Sequence, residues 1–300
     1  MAGNQRPCRS FERGGPLLPM NIPALNVSAI LKRFGLRADK SLGQNFLQDT
    51  HGLEQIARAA EIQPADTVLE IGPGLGSLTR YLAASAQDVV AVELDERLLR
   101  PLEEILAPHQ NVRVVHGNIL DISPGDLIAQ PEYLVAANIP YYITSAIIRH
   151  LLENKNKPRR IVLTIQKEVA QRICAKPGDL SLLALSVQVY GNPRVVASIP
   201  AGAFFPAPSV DSAVLVVDIY PSPYIEEPLL NIFFKLIKAG FAQKRKTLRN
   251  SLSAGLHKPT NEIVELLHRA GIDPMRRAET LNLDEWRALC VLYGNNKAEP

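Results

Sequence analysis

The stretch TVLEIGPGLGSLT, residues 67–79, decides how the rest of the chain is read. A short apolar run, TVLEI, meets three glycines, Gly72, Gly74 and Gly76, and the helical run LTRYLAASA follows. Glycines at such a strand-to-helix turn let the backbone bend sharply and let a ligand approach it closely. Open α/β sheets bind ligands at the carboxyl ends of their strands, beside turns of this kind. The spacing narrows the ligand. A dinucleotide fingerprint needs G-x-G-x-x-G, and Ser77 stands where its last glycine belongs. The absence of G-x-x-x-x-G-K-[ST] excludes a P-loop. The next apolar run, DVVAVEL, carries Glu93 about twenty residues past Gly72, where a carboxylate can accept both ribose hydroxyls of a nucleoside. A plain tight turn explains the glycines alone, but not Glu93.

Working outward, strand-like and helix-like runs alternate. The strands VRVVHG, YLVAAN and RRIVLTIQ are followed or separated by the helices ERLLRPLEEILA, TSAIIRHLLEN and KEVAQRICA. Such alternation argues for parallel βαβ units in a doubly wound sheet. LSLLALSVQVYG reads as helical, with a strand as the alternative. RVVASI and SAVLVVDIY then follow without a helix between them, which predicts an antiparallel hairpin closing the sheet. Upstream, residues 25–34 and 50–60 read as amphipathic helices, with KSLGQNF as a loop between them. After a hinge at PSPYIEEP, every run from Leu229 reads as helix, KRKTLRNSL included. The expected organisation is a flexible tail over 1–22, an α/β domain over 23–223 and a small all-helical domain over 224–300. Met20 is a second candidate start beside Met1.

The 300 residues, 46% hydrophobic, are enough to bury a core. No apolar run reaches the roughly 18 residues of a membrane span, and the first twenty lack the apolar stretch of a secretory signal. Three cysteines with no metal-ligand spacing predict free thiols in a reducing cytoplasm and no metal. The net charge of +3 is uninformative, but its distribution is not. Between Lys235 and Arg277, Lys and Arg far outnumber Asp and Glu, and the cluster Lys244, Arg245, Lys246 and Arg249 suits a polyanion. A merely solvated helix face is the bland alternative.

A second stretch carries the chemistry. AANIPYYIT, residues 136–144, ends the fourth strand with Asn138, Ile139, Pro140 and Tyr141. This run resembles the motif of amino methyltransferases, and the resemblance implies an exocyclic amine of a base as the acceptor, a poor nucleophile because its lone pair is conjugated with the ring. The Asn138 side-chain oxygen and a backbone carbonyl at Ile139 or Pro140 can accept hydrogen bonds from such an amine, favouring a more tetrahedral nitrogen. Pro140 fixes the turn through its locked φ. Tyr141 offers a face for stacking the base, worth about 1–3 kcal/mol. Without the glycine turn and Glu93, a strand ended by Asn and Pro over core tyrosines would explain the same residues.

The glycine turn with Glu93 resembles class I methyltransferases, which bind S-adenosylmethionine in a Rossmann-like fold. Asn138-Ile139-Pro140-Tyr141 resembles the motif of amino methyltransferases that act on adenine or cytosine. With GQNFL (43–47), FFPAPSVDSAV (204–214), GFAQKRKTLRNSL (240–252) and RAETL (277–281), the chain resembles the rRNA adenine N6-dimethyltransferase family, in its bacterial small-subunit branch, over residues 24–289. The resemblance implies a seven-stranded sheet and methylation of two adjacent adenosines near the 3′ end of 16S rRNA, within the small ribosomal subunit, by a cytoplasmic monomer. It implies cofactor contacts at Asn45, Leu47, Gly72, Gly74, Gly76, Glu93, Asn118 and Asn138. It further implies that Phe204 stacks on the target adenine opposite Tyr141, and that Lys244, Arg245, Lys246 and Arg249 contact RNA. Asn118 departs from an Asp usual in the family but can still accept through its carbonyl oxygen. Leu182-Leu183 stands where relatives often carry Tyr-Gly. Two alternatives share these motifs: the large-subunit rRNA branch, and an RNA-binding factor that has lost catalysis.

Overall fold

In the computed structural model, which describes residues 22–295, seven strands form one mixed sheet. They are β1 (Thr67–Ile71), β2 (Asp88–Glu93), β3 (Val112–His116), β4 (Leu134–Asn138), β5 (Arg160–Gln166), β6 (Gly191–Ile199) and β7 (Ser212–Ile219). Their order is β3-β2-β1-β4-β5-β7-β6. The first five in that order are parallel, and β7 runs antiparallel to both β5 and β6, so the expected hairpin closes the sheet. The order reverses between β1 and β4. At such a switch point the flanking connections leave on opposite faces and open a crevice at the carboxyl ends. Gly72 follows one of those ends and Asn138 closes the other.

The strands at the centre are largely apolar because both faces are covered, with Glu70 of β1 and Thr164 of β5 as buried polar exceptions. Val68, Leu134, Ala136 and Val162 pack against the helix Thr50–Ala60. Leu69, Ile71, Val135, Ala137 and Leu163 face the opposite layer, which includes the helices Thr144–Glu153, Lys167–Ile173 and Leu182–Gln188. The division follows the period-two alternation of strand side chains. LSLLALSVQVYG therefore contains a helix, and β6 begins at its last residue, Gly191. Pro193 is accommodated because β6 is the sheet's outer strand.

The chain's last helices, Glu227–Phe241, Leu248–Leu256, Thr260–Arg269 and Leu283–Asn295, gather around buried Phe233, Leu236, Leu252, Leu267 and Trp286. This core runs on into the sheet layer, where Tyr190 stacks on Phe234 at 6.3 Å between ring centroids. The helix expected across KRKTLRNSL starts only at Leu248, and Lys244–Lys246 form a turn before it. The Leu248 and Arg249 amides donate to the carbonyls of Arg276 and Pro274, so tertiary contacts satisfy the new helix end. The tail expected over residues 1–22 lies outside the described residues except for Ile22, which packs against the sheet core.

Candidate active site

Five stretches distant in sequence meet at the switch point around a cavity of about 1030 Å³ of empty space, its open mouth included. Its wall includes the loop Leu42–Leu47, the glycine turn, Glu93 at the end of β2, Asn118 after β3 and the segment Asn138–Ile143 after β4.

All three glycines of the turn have left-handed φ, between 60° and 79°. Their neighbours differ. A Cβ on Gly74 would come within 2.9 Å of the Phe46 ring, and one on Gly76 within 3.1 Å of Leu102. Gly72 and Gly74 line the cavity, whereas Gly76, expected there, packs against the helix Glu96–Leu106. A Cβ on Gly72 would meet nothing closer than the Asn138 carbonyl at 4.0 Å, so this glycine leaves the cavity floor open.

Glu93 is buried, and both carboxylate oxygens already accept backbone hydrogen bonds, Oε2 from Gly74 N–H at 2.9 Å and Oε1 from Asp95 N–H at 2.8 Å. These bonds fix its orientation, and each oxygen keeps a further lone pair. Burial pushes its pKa up, and the backbone donors oppose the shift. Deeper lies Glu70, 1% exposed, whose Oε2 has no hydrogen-bond partner among the described residues. The Thr79 hydroxyl lies beside it without reaching bonding geometry. Burial raises the Glu70 pKa to about 8, and the nearby Glu93 charge adds to the rise.

The loop Lys40–Phe46 carries little regular structure yet is firmly tied. Gln44 Nε2 donates to Asp95 Oδ2 at 2.7 Å, and its Oε1 accepts from Asp39 N–H at 2.8 Å. Arg97 bridges Asp95 and Asp39 and holds the Asp95 carboxyl below its usual range. Phe46 and Leu47 pair antiparallel with Phe205 and Phe204. The loop meets the segment Asn138–Ile143 directly, because Asn138 Nδ2 donates to the Asn45 carbonyl at 3.0 Å. No donor among the described residues reaches Asn138 Oδ1.

Of the expected site residues, Asn45, Leu47, Gly72, Gly74, Glu93, Asn118, Asn138, Pro140 and Tyr141 line the cavity. Asn118 Oδ1 already accepts from Leu120 N–H at 3.1 Å and retains its other lone pair. Phe204 does not line it. Its side chain is 3% exposed and packs with Leu47 and Ile56 in the sheet core. Lys244, Arg245 and Lys246 are exposed and form no ion pair among the described residues. Gln44, Asp95 and Arg97 went unread in the sequence, as did Tyr142, 62% exposed at the mouth against Gly43. A second aromatic beside Tyr141 was the one available signal. No cluster of potential metal ligands occurs among the described residues, and no described helix is long and apolar enough to cross a membrane.

A seven-stranded sheet in this order, with a glycine turn and an acidic β2 end at its switch point, defines a class I methyltransferase. Known proteins make the assignment narrower. Residues 35–292 match the family model described as ribosomal RNA adenine dimethylase. The chain is 47% identical over 290 residues to "Ribosomal RNA small subunit methyltransferase A" of Dehalococcoides mccartyi (strain CBDB1), covering 95% of this chain and 99% of that one. It is 43% identical to the protein of that name from Alkaliphilus metalliredigens, over 87% of this chain and 93% of the relative. Among solved structures, the 23S rRNA methyltransferase ErmE superposes with a TM-score of 0.67 at 30% identity, over 83% of this chain and 99% of its own. A dimethyladenosine transferase from Plasmodium falciparum superposes with a TM-score of 0.73 at 24% identity, over 84% and 98%, and shares the fold. The chain belongs to the ribosomal RNA adenine dimethylase family, and it is an rRNA adenine dimethyltransferase.

Proposed function

We propose that this enzyme uses S-adenosylmethionine to dimethylate N6 of two adjacent adenosines near the 3′ end of 16S rRNA, within the assembling small ribosomal subunit, as a cytoplasmic monomer. In this reading residues 23–223 carry the chemistry and 224–300 grip RNA, chiefly through Lys244, Arg245, Lys246 and Arg249. The curated relatives' names favour the small subunit over the large.

The cavity fits the donor. Glu93 holds a carboxylate in fixed orientation with lone pairs for ribose hydroxyls, and the missing Cβ of Gly72 admits a ligand close to the backbone. Asn45, Leu47, Gly74 and Asn118 complete its cradle. When bound, S-adenosylmethionine supplies an electrophilic methyl group on a sulfonium. The observation that carries the chemical reading is the Asn138 amide, whose Nδ2 is engaged by Asn45 and whose Oδ1 is not. Asn138 Oδ1 accepts a hydrogen bond from the adenine N6 amine, and a carbonyl of the Ile139-Pro140 turn accepts the other. Both bonds favour a pyramidal nitrogen with its lone pair aimed toward the glycine turn. Tyr141 stacks on the base, which has left its own stack to enter. Positioning of this kind supplies up to roughly 7–11 kcal/mol without a strong base. Phe204, buried as it is, would have to turn outward to form a second wall.

The test is labelled-methyl transfer to small subunits lacking the modification, with large subunits in parallel and nucleoside analysis of the product. Dimethyladenosine in the small-subunit RNA is expected. Transfer to the large subunit instead would move the enzyme to the ErmE-like branch.

A further inference from the structure

We propose that Ser212 is a positioning residue of the adenine slot, acting through Tyr141. The proposal rests on the reading of Asn138 and Tyr141 given above. The Tyr141 hydroxyl and Ser212 Oγ are hydrogen-bonded at 2.7 Å. Ser212 is the first residue of β7 and is fully buried, 0% exposed. A buried hydroxyl needs a partner, and Tyr141 provides the only one its Oγ has among the described residues.

The anchor is rigid. Ser212 pairs with Gln166 of β5 on one side and Ile199 of β6 on the other. Its neighbour Asp211 accepts Ala201 N–H on its side chain at 3.0 Å and Lys167 N–H on its carbonyl at 3.1 Å. The start of β7 is thus pinned to the sheet, to the helix after β5 and to the turn before Phe204. Tyr141 follows Pro140 into a 3₁₀ turn, Tyr141–Ile143, which fixes its backbone. The bond to Ser212 fixes the far end of the ring. Held at both ends, the ring is restrained from swinging about Cα–Cβ, and Tyr141 stays with Asn138 on the cavity wall.

Dimethylation makes this matter more for the second transfer than for the first. The unmodified amine offers two N–H donors to Asn138 and the adjacent carbonyl. After one transfer a single N–H remains, so presentation of the nitrogen leans more on the stacking wall. A loose Tyr141 therefore costs the second step more.

Ser212→Ala, Tyr141→Phe and the double variant are assayed on small subunits lacking the modification, below the melting temperature of each. Each single variant is expected to slow single-turnover transfer roughly five- to tenfold, as loss of one hydrogen bond does. Monomethyladenosine is expected to accumulate, donor affinity to stay unchanged, and the double variant to be no slower than either single one. Tyr141→Phe removes the bond but leaves the buried Ser212 hydroxyl unpaired, so the double variant, which carries neither hydroxyl, and the melting temperature of each variant guard against a folding defect. A wild-type rate and product ratio in Ser212→Ala, or additive losses in the double variant, overturn the proposal. Tyr141→Ala separates the layers: if it is inactive while Ser212→Ala is silent, only this inference fails, and if it is fully active, the adenine slot itself is misplaced.

Discussion

The cavity at the strand ends and the turn Lys244–Lys246 treat polar groups in opposite ways. In the cavity each functional group is held by a neighbour before any ligand arrives. Glu93 is clamped by two backbone amides, Asn138 by the Asn45 carbonyl and Tyr141 by Ser212. On the turn, three cations stand in water with no described ion pair. The difference suits the ligands proposed for each. A nucleoside and a single amine demand fixed angles, because misplacement of a reacting group by an ångström is costly. A phosphate backbone demands only charge, and exposed cations release counterions wherever they meet it.

The most severe way to break this contrast is to loosen the cavity. Asn138→Ala removes the acceptor proposed for the amine and should lower methyl transfer by at least about 10²–10³, the usual loss for one preorganised transition-state partner. RNA binding, measured by filter retention, should be nearly intact. Near-normal turnover would refute the mechanism. Glu93→Ala should come next, weakening donor binding about ten- to a hundredfold, as expected for losing hydrogen bonds to a charged, buried group. Burial raises the Glu93 pKa, so donor affinity in the unaltered enzyme should fall on acidification at a higher pH than an ordinary glutamate would give. Calorimetric titration across that range checks both, and an unchanged affinity in the variant removes the ribose assignment.

How much of this could be read beforehand depended on whether the signal was local. Gly72, Glu93 and Asn138 announce themselves because each sits at a strand end at a fixed distance from a turn. The alternation of apolar runs gave the parallel strands and the closing hairpin for the same reason. The clamps are different. Gln44 meets Asp95 across 51 positions and Tyr141 meets Ser212 across 71, and no local pattern encodes such a pair. The Phe46–Leu47 strand is two residues long, too short for any periodicity. Phe204 and Gly76 were placed at the site by motif, whereas their packing puts one in the core and the other under a helix. The start of the helix at Leu248 was hidden because carbonyls of residues 274 and 276 set it.

A smaller effect should come from the turn. Reversing Lys244, Arg245 and Lys246 to Glu should weaken subunit binding and flatten its salt dependence, each lost phosphate contact removing about 0.7–0.9 from the slope of log affinity against log salt. At saturating subunit concentration the methyl-transfer step should be close to wild type, because no cavity residue has changed. If affinity and slope both persist, the turn is not an RNA surface. If the chemical step also collapses, cavity and turn are not the separate devices described above.

The last effect concerns stability and not activity, and it probes the strict side of the contrast. Among the described residues Glu70 is the one cavity acid whose Oε2 lacks a partner, and its pKa stands at about 8 against an ordinary 4.5. Between those values the folded protein holds a proton that the unfolded chain has lost. Stability from this group is therefore fully present below about 4.5, declines as pH rises through the window, and levels off above 8. Glu70→Gln keeps the shape and cannot ionise, so its unfolding free energy should be flatter from pH 5 to 8, with the variant gaining on the wild type toward the alkaline end. Urea titrations at several pH values measure this directly. Parallel curves for the two proteins would mean that Glu70 ionises as it does in water, and that the cavity floor tolerates an unpinned charge as readily as the turn does.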